Sequence, residues 1–94
     1  MISQEQRKEM LEIIGFKHIA KISMYFYDKK IFSRTETPYH SMVISEVFNG
    51  RKANPKIEQG IFDFVAEYPA ILKAEQERRN EIIANTKKEL DEQE

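Results

Sequence analysis

The sequence predicts an all-α protein: a compact domain of four to five helices that ends in a long polar C-terminal helix. Three observations predict it. Apolar residues recur at intervals of three and four, the spacing that lines one face of a helix, as in Val43, Ile44, Val47 and Phe48. The three glycines and three prolines, Gly60 apart, sit where such helices would begin or end. From Ala70 to about Leu90 the composition is strongly helix-forming but poor in apolar residues.

Each element can be justified in order. Ser3 with Gln6 fits a capping box, which starts a helix over Gln4 to Ile14 with Met10, Leu11 and Ile14 inward; Gly15 ends it. Lys17 to about Tyr27 is the second helix. Its buried side is expected at Ile19, Ala20, Ile22, Ser23 and Phe26, with small Ala20 allowing a close helix crossing and Tyr25 and Tyr27 flanking that side. Asp28 to Pro38 breaks the period and reads as a loop or a short hairpin, anchored by Ile31 and Phe32. Thr37 and Pro38 resemble a cap and a first helical residue, so the third helix is expected to begin as early as Pro38.

That helix stops at Asn49 and Gly50, with Arg51 and Lys52 near the negative end of its dipole. Asn54 and Pro55 start the next, whose inner stripe is Ile57, Ile61, Phe64, Val65 and Tyr68. Gly60 within it reads as a close contact with the first helix or as a tolerated surface glycine. Pro69 predicts a kink or a fresh start, which divides residues 1–68, the folded domain, from 69–94, an extension for dimerisation or partner binding. A heptad seam through Leu72, Arg79, Ile83 and Leu90 is imperfect, so the last helix either stands in solvent or meets a second copy.

Composition excludes several function classes. The chain of 94 residues has no cysteine, which removes disulfide frameworks, zinc fingers and thiol catalysis together. No apolar run approaches the roughly 18 residues of a membrane span, and MISQEQRKEM is too polar for a signal peptide, so a cytoplasmic protein is expected. His18 and His40 form no metal-ligand spacing, no nucleophile motif or phosphate loop is present, and neither an enzyme nor a cofactor is expected. The net charge is only −1, but its distribution is uneven. From Lys17 to Lys56 eight basic residues stand against three acidic ones, a net of +5, and the remainder carries −6. A basic middle between acidic ends points to nucleic acid, or else to ordinary solvated surface charge.

At IAKIS and at VISEVFNGRKANPKIEQGI the chain resembles the lambda-repressor and Cro-like helix-turn-helix family, small DNA-binding transcriptional regulators of phages and mobile elements. Ile19 and Ala20 match the family's second helix. Ile44, Ser45, Val47, Asn49, Gly50, Arg51 and Pro55 match, in order, the end of its recognition helix, the turn after it and the start of a further helix. The segment Asp28 to Pro38 is longer than the family's turn; with KKIF and then TETPYHSMV, the chain also looks like the helix-turn-helix of serine-recombinase DNA-binding regions, which carry a comparable insertion.

The resemblance implies a helix-turn-helix domain that binds double-stranded DNA as a transcriptional regulator, a repressor by occupancy, and places base contacts at His40, Ser41, Met42, Ser45 and Glu46. Chemistry permits this: serine bonds to several bases, a carboxylate accepts from the cytosine amino group, and a thioether touches the thymine methyl. Phosphate contacts fall to Lys17, His18, Lys29, Lys30, Arg34, Tyr39, Asn49, Arg51 and Lys52. Duller readings stand beside several of these: Asn49 as a helix C-cap, Glu46 as exposed filler, Met42 as core, Tyr39 as packing over the loop. A homodimer through the last helix would imply an inverted-repeat operator with half-sites about one turn apart. The alternative function is a protein-interaction module, such as an inhibitor of a host factor, that uses the same helices as a scaffold.

Overall fold

A computed structural model describes residues 1–92, and in it the chain forms α1 (Gln4–Ile14), α2 (His18–Asp28), α3 (Ser41–Phe48) and α4 (Pro55–Glu92). The final two residues of the expected C-terminal extension lie outside the described residues. The capping box of α1 forms as the sequence predicts: Gln6 N–H donates to Ser3 Oγ at 3.1 Å and Ser3 N–H to Gln6 Oε1 at 2.9 Å. Met10 and Ile14 are buried and Gly15 closes the helix. Ile2, ahead of the helix, is also in the core, although nothing periodic marks it.

In α2 the buried face is Ile22, Tyr25 and Phe26. Tyr25 is therefore core and not a flank, and Ala20, expected inside, is exposed. The reason is angular: two residues before Ile22 is about 200° round the helix, so a face centred on positions 22, 25 and 26 turns position 20 to solvent. The close approach expected at Ala20 occurs instead at Gly60, whose absent Cβ would lie 2.6 Å from Phe26 Cζ. Gly60 thus seats α4 on α2 and not on α1.

Residues 29–40 form a short hairpin-like connection closed by an isolated bridge between Phe32 and Pro38. Ser33 N–H donates to Thr37 O and Glu36 N–H to Ser33 O, both at 2.9 Å. Because the bridge holds Pro38 extended, α3 starts three residues later than expected. His40 is its N-cap, with Nδ1 accepting from Met42 N–H at 3.1 Å. Tyr39 packs its ring edge-on to Phe26 beneath this connection.

After α3 the chain turns through Asn49 and Gly50, the latter at φ +75°. A Cβ on Gly50 would sit 2.6 Å from the Ile2 carbonyl oxygen, so both backbone conformation and the passing N-terminal segment demand glycine here. Asn54 then caps α4: its Oδ1 accepts from Ile57 N–H, while Glu58 accepts from Asn54 N–H. The helix runs on through Pro69 with no fresh start. Ile22, Ile44, Val47, Phe48, Ile57 and Ile61 are its fully buried centre with α2 and α3. Lys21 Nζ and Tyr68 Oη both donate to the Ile14 carbonyl, tying the end of α1 to α2 and α4. From Leu72 on, every described residue of α4 is exposed, and the molecule measures 59 Å along its longest axis.

Candidate nucleic-acid interface

The rotation of α3 is set by its apolar face. With Ile44, Val47 and Phe48 buried, Ser41 and Met42 point to solvent, Met42 at 65% exposure, and Ser45 and Glu46 are half-buried on the rim. Met42 is thus surface and not core. The outward side of α3 offers a hydroxyl, a thioether, a second hydroxyl and a carboxylate along two turns, and His40 precedes it with Nδ1 committed to the cap.

Several of these groups are already engaged. Glu46 Oε2 lies 2.9 Å from Lys52 Nζ, so the carboxylate is ion-paired at the surface. Asn49 is the C-cap of α3, and its side chain is occupied at both ends. Its Oδ1 accepts from Arg7 Nε at 2.7 Å and its Nδ2 donates to Ser45 Oγ at 3.2 Å. The cap reading of Asn49 is the one this geometry supports, and it leaves Ser45 with a donor free to turn outward. Sequence reasoning does not find Arg7; its partner is 42 positions away, and nothing local announces it.

His18 is half-buried with its ring centroid 4.9 Å from that of Phe48. Burial, and then the nearby Arg7 guanidinium, hold its pKa below the ordinary histidine value. Both effects disfavour the charged ring that a phosphate contact would use. Lys17 is exposed beside it, at φ 59°, with its ammonium 5.7 Å from the centre of the exposed Phe16 ring.

Along the connection ahead of α3, Lys30 and Arg34 are exposed, and the hydroxyls of Ser33, Thr35 and Thr37 bond to one another at 2.8–3.1 Å. Lys56 Nζ, the last cation of the basic middle, donates to the Phe32 carbonyl and fastens this turn to the start of α4. Lys29 is on another side: its ammonium is 5.9 Å from the centre of the Tyr25 ring, and it lines a groove of about 790 Å³ between α2 and α4. The groove's apolar wall includes Met24, Ile71 and Leu72. On its floor Tyr25 Oη donates to Glu67 at 2.5 Å, and burial together with that carboxylate pushes the phenol up to about 12.

The described residues therefore present two surfaces. One is the outward side of α3, preceded in the chain by the exposed Lys30 and Arg34 and followed by the exposed Arg51 and Lys52; the other is the α2–α4 groove. Neither holds a group of histidine and carboxylate side chains able to bind a metal ion. No described helix is long and apolar enough to cross a membrane. A scan against protein-family models finds no match, and searches of curated proteins and of solved structures find none either.

Proposed function

We propose that the chain is a sequence-specific double-stranded DNA-binding transcriptional regulator, a repressor by occupancy, which lays α3 in the major groove. The observation that carries this reading is the arrangement of α3. Its inner face is locked into the core, its outer face is open and polar, and the turns at both of its ends carry exposed cations. Such a helix offers base edges Ser41, Met42, Ser45 and the Glu46–Lys52 pair while Arg51, Lys30 and Arg34 reach phosphates. Pairing with Lys52 supports the placement of Glu46, because it lowers the repulsion a carboxylate meets near DNA. His18 and Asn49 belong to the support of α3 in this reading.

The test is selection of bound duplexes from a random-sequence library at about 100 mM salt, where phosphate-driven nonspecific binding is already weakened. Enrichment of one site is expected. Arg51→Ala should weaken binding to all sequences alike and lower the salt slope by about one, whereas Met42→Ala should change the preferred base at one position. A folded protein that enriches nothing would overturn the proposal. A protein-interaction module is the second reading, favoured by the apolar wall of the α2–α4 groove. Arg51→Ala would leave that function intact, since Arg51 does not line the groove.

A further inference from the structure

From Leu72 on, every described residue of α4 is exposed, yet one face of the helix is patterned. Phe62, Val65, Pro69, Leu72, Gln76, Arg79, Ile83, Thr86 and Leu90 follow one another in steps that alternate three and four, the heptad spacing of a helix–helix seam. From Leu72 outward the seam is open: Leu72, Ile83 and Leu90 are 46%, 56% and 59% exposed, whereas at its inner end Val65 is half-buried against the core of the body. In proteins most helix stability comes from packing an apolar face rather than from propensity.

We propose that this face binds a second copy of the chain, with the two α4 helices antiparallel and crossing between Gln76 and Arg79. The argument is self-complementarity under a two-fold axis. In this register Val65 meets Leu90 of the second copy, Pro69 meets Thr86, Leu72 meets Ile83, and Gln76 meets Arg79, each layer occurring twice. The exposed apolar pair Leu72 and Ile83 thus meet each other in two layers, Leu90 reaches the half-buried Val65, and the polar Gln76 and Arg79 meet in the middle. The flanks agree. An antiparallel pair sets Lys73 beside Asn80 and Glu75 beside Ile82, so no like charges are opposed, and Arg79 comes within reach of the partner's Glu75. A parallel pair in the same seam would stack Arg79 on Arg79.

The paired length is about 38 Å. The two bodies stand at opposite ends of the rod, roughly 50 Å apart. If the DNA-binding reading also holds, half-sites one turn apart are too close, and two turns is the next in-phase spacing.

The test needs no DNA, so its failure and that of the regulator reading are separable. The chain has no cysteine, so single cysteines report cleanly. Leu72→Cys and Ile83→Cys, oxidised separately, should remain uncrosslinked; mixed, they should give a covalent dimer. Sedimentation should show a dimer whose dissociation constant rises roughly 100-fold in Ile83→Glu, while the body, which Ile83 does not touch, keeps its thermal midpoint. Arg51→Ala should remain dimeric. A monomer at all concentrations would overturn the proposal. So would efficient self-crosslinking of each cysteine variant alone, which is the signature of parallel helices.

Discussion

Replacing Gly50 separates two demands that the turn after α3 makes at once. At φ +75° a Cβ costs about 1–2 kcal/mol whatever the surroundings. The same Cβ would stand 2.6 Å from the Ile2 carbonyl oxygen, a backbone atom that can withdraw only if the N-terminal segment moves. Ile2 is 5% exposed, so moving it disturbs the core at about 1–3 kcal/mol more. Gly50→Ala should therefore lose about 2–5 kcal/mol, a large part of the roughly 5–14 kcal/mol expected for a domain of this size. Asparagine tolerates the left-handed conformation but carries the same Cβ, so Gly50→Asn should recover less than about 1 kcal/mol of the loss. Urea unfolding followed by far-ultraviolet circular dichroism, with unchanged m-values, measures both variants. An asparagine variant within about 0.5 kcal/mol of the parent would show that backbone conformation alone requires glycine, and would refute the contact with Ile2 as a determinant.

The same packing leads to further expectations. Gly60→Ala gains about 1 kcal/mol of helix propensity but drives a Cβ to 2.6 Å and 2.8 Å from atoms of the buried Phe26 ring, so a lower urea midpoint is expected and a higher one would contradict the seating of α4 on α2. Asn49→Ala leaves Arg7 Nε and Ser45 Oγ without their partner and should cost about 1–2 kcal/mol; a double-mutant cycle with Arg7→Ala should show coupling, and strict additivity would deny the pair. Because His18 has a folded-state pKa below its unfolded value of 6.5, its contribution to stability is full above that value and declines as pH falls below it. Unfolding midpoints between about pH 7.5 and 5.5 should therefore drop, with a shallower drop in His18→Gln; identical slopes would show that the ring titrates freely. Tyr25 has the opposite sign: its folded pKa of about 12 lies above the unfolded value of 10, so its contribution is present below pH 10 and is lost as pH rises toward 12. Ultraviolet titration of the phenols should find one late-ionising tyrosine that disappears in Tyr25→Phe.

Local chemistry in the sequence was enough for the boundaries of α1, the stop at Asn49 and Gly50, and the start of α4 at Pro55, because caps and helix-ending glycines act over three or four residues. It also determined which faces of α1, α3 and α4 are apolar, since periodicity is a property of one helix at a time. Where two elements had to be placed against each other it was insufficient. Ala20 faces solvent because α2 is turned to present Ile22, Tyr25 and Phe26 to its neighbours, a rotation only those neighbours set. Gly60 meets Phe26, and Gly50 meets Ile2, because of how separate segments cross. Pro69 lies within a continuous α4, although the restriction it places on Tyr68 argued for a kink or a fresh start there. At the candidate interface, residue types and charge sign could be read from the chain, but not engagement. That Glu46 holds Lys52, that Asn49 is held by Arg7 and that His18 lies under Phe48 depend on side chains brought together from distant positions. Patterns set by neighbours along one helix are written in the sequence, whereas a hydrogen bond across 42 residues exists only once the chain has folded and excluded water from it.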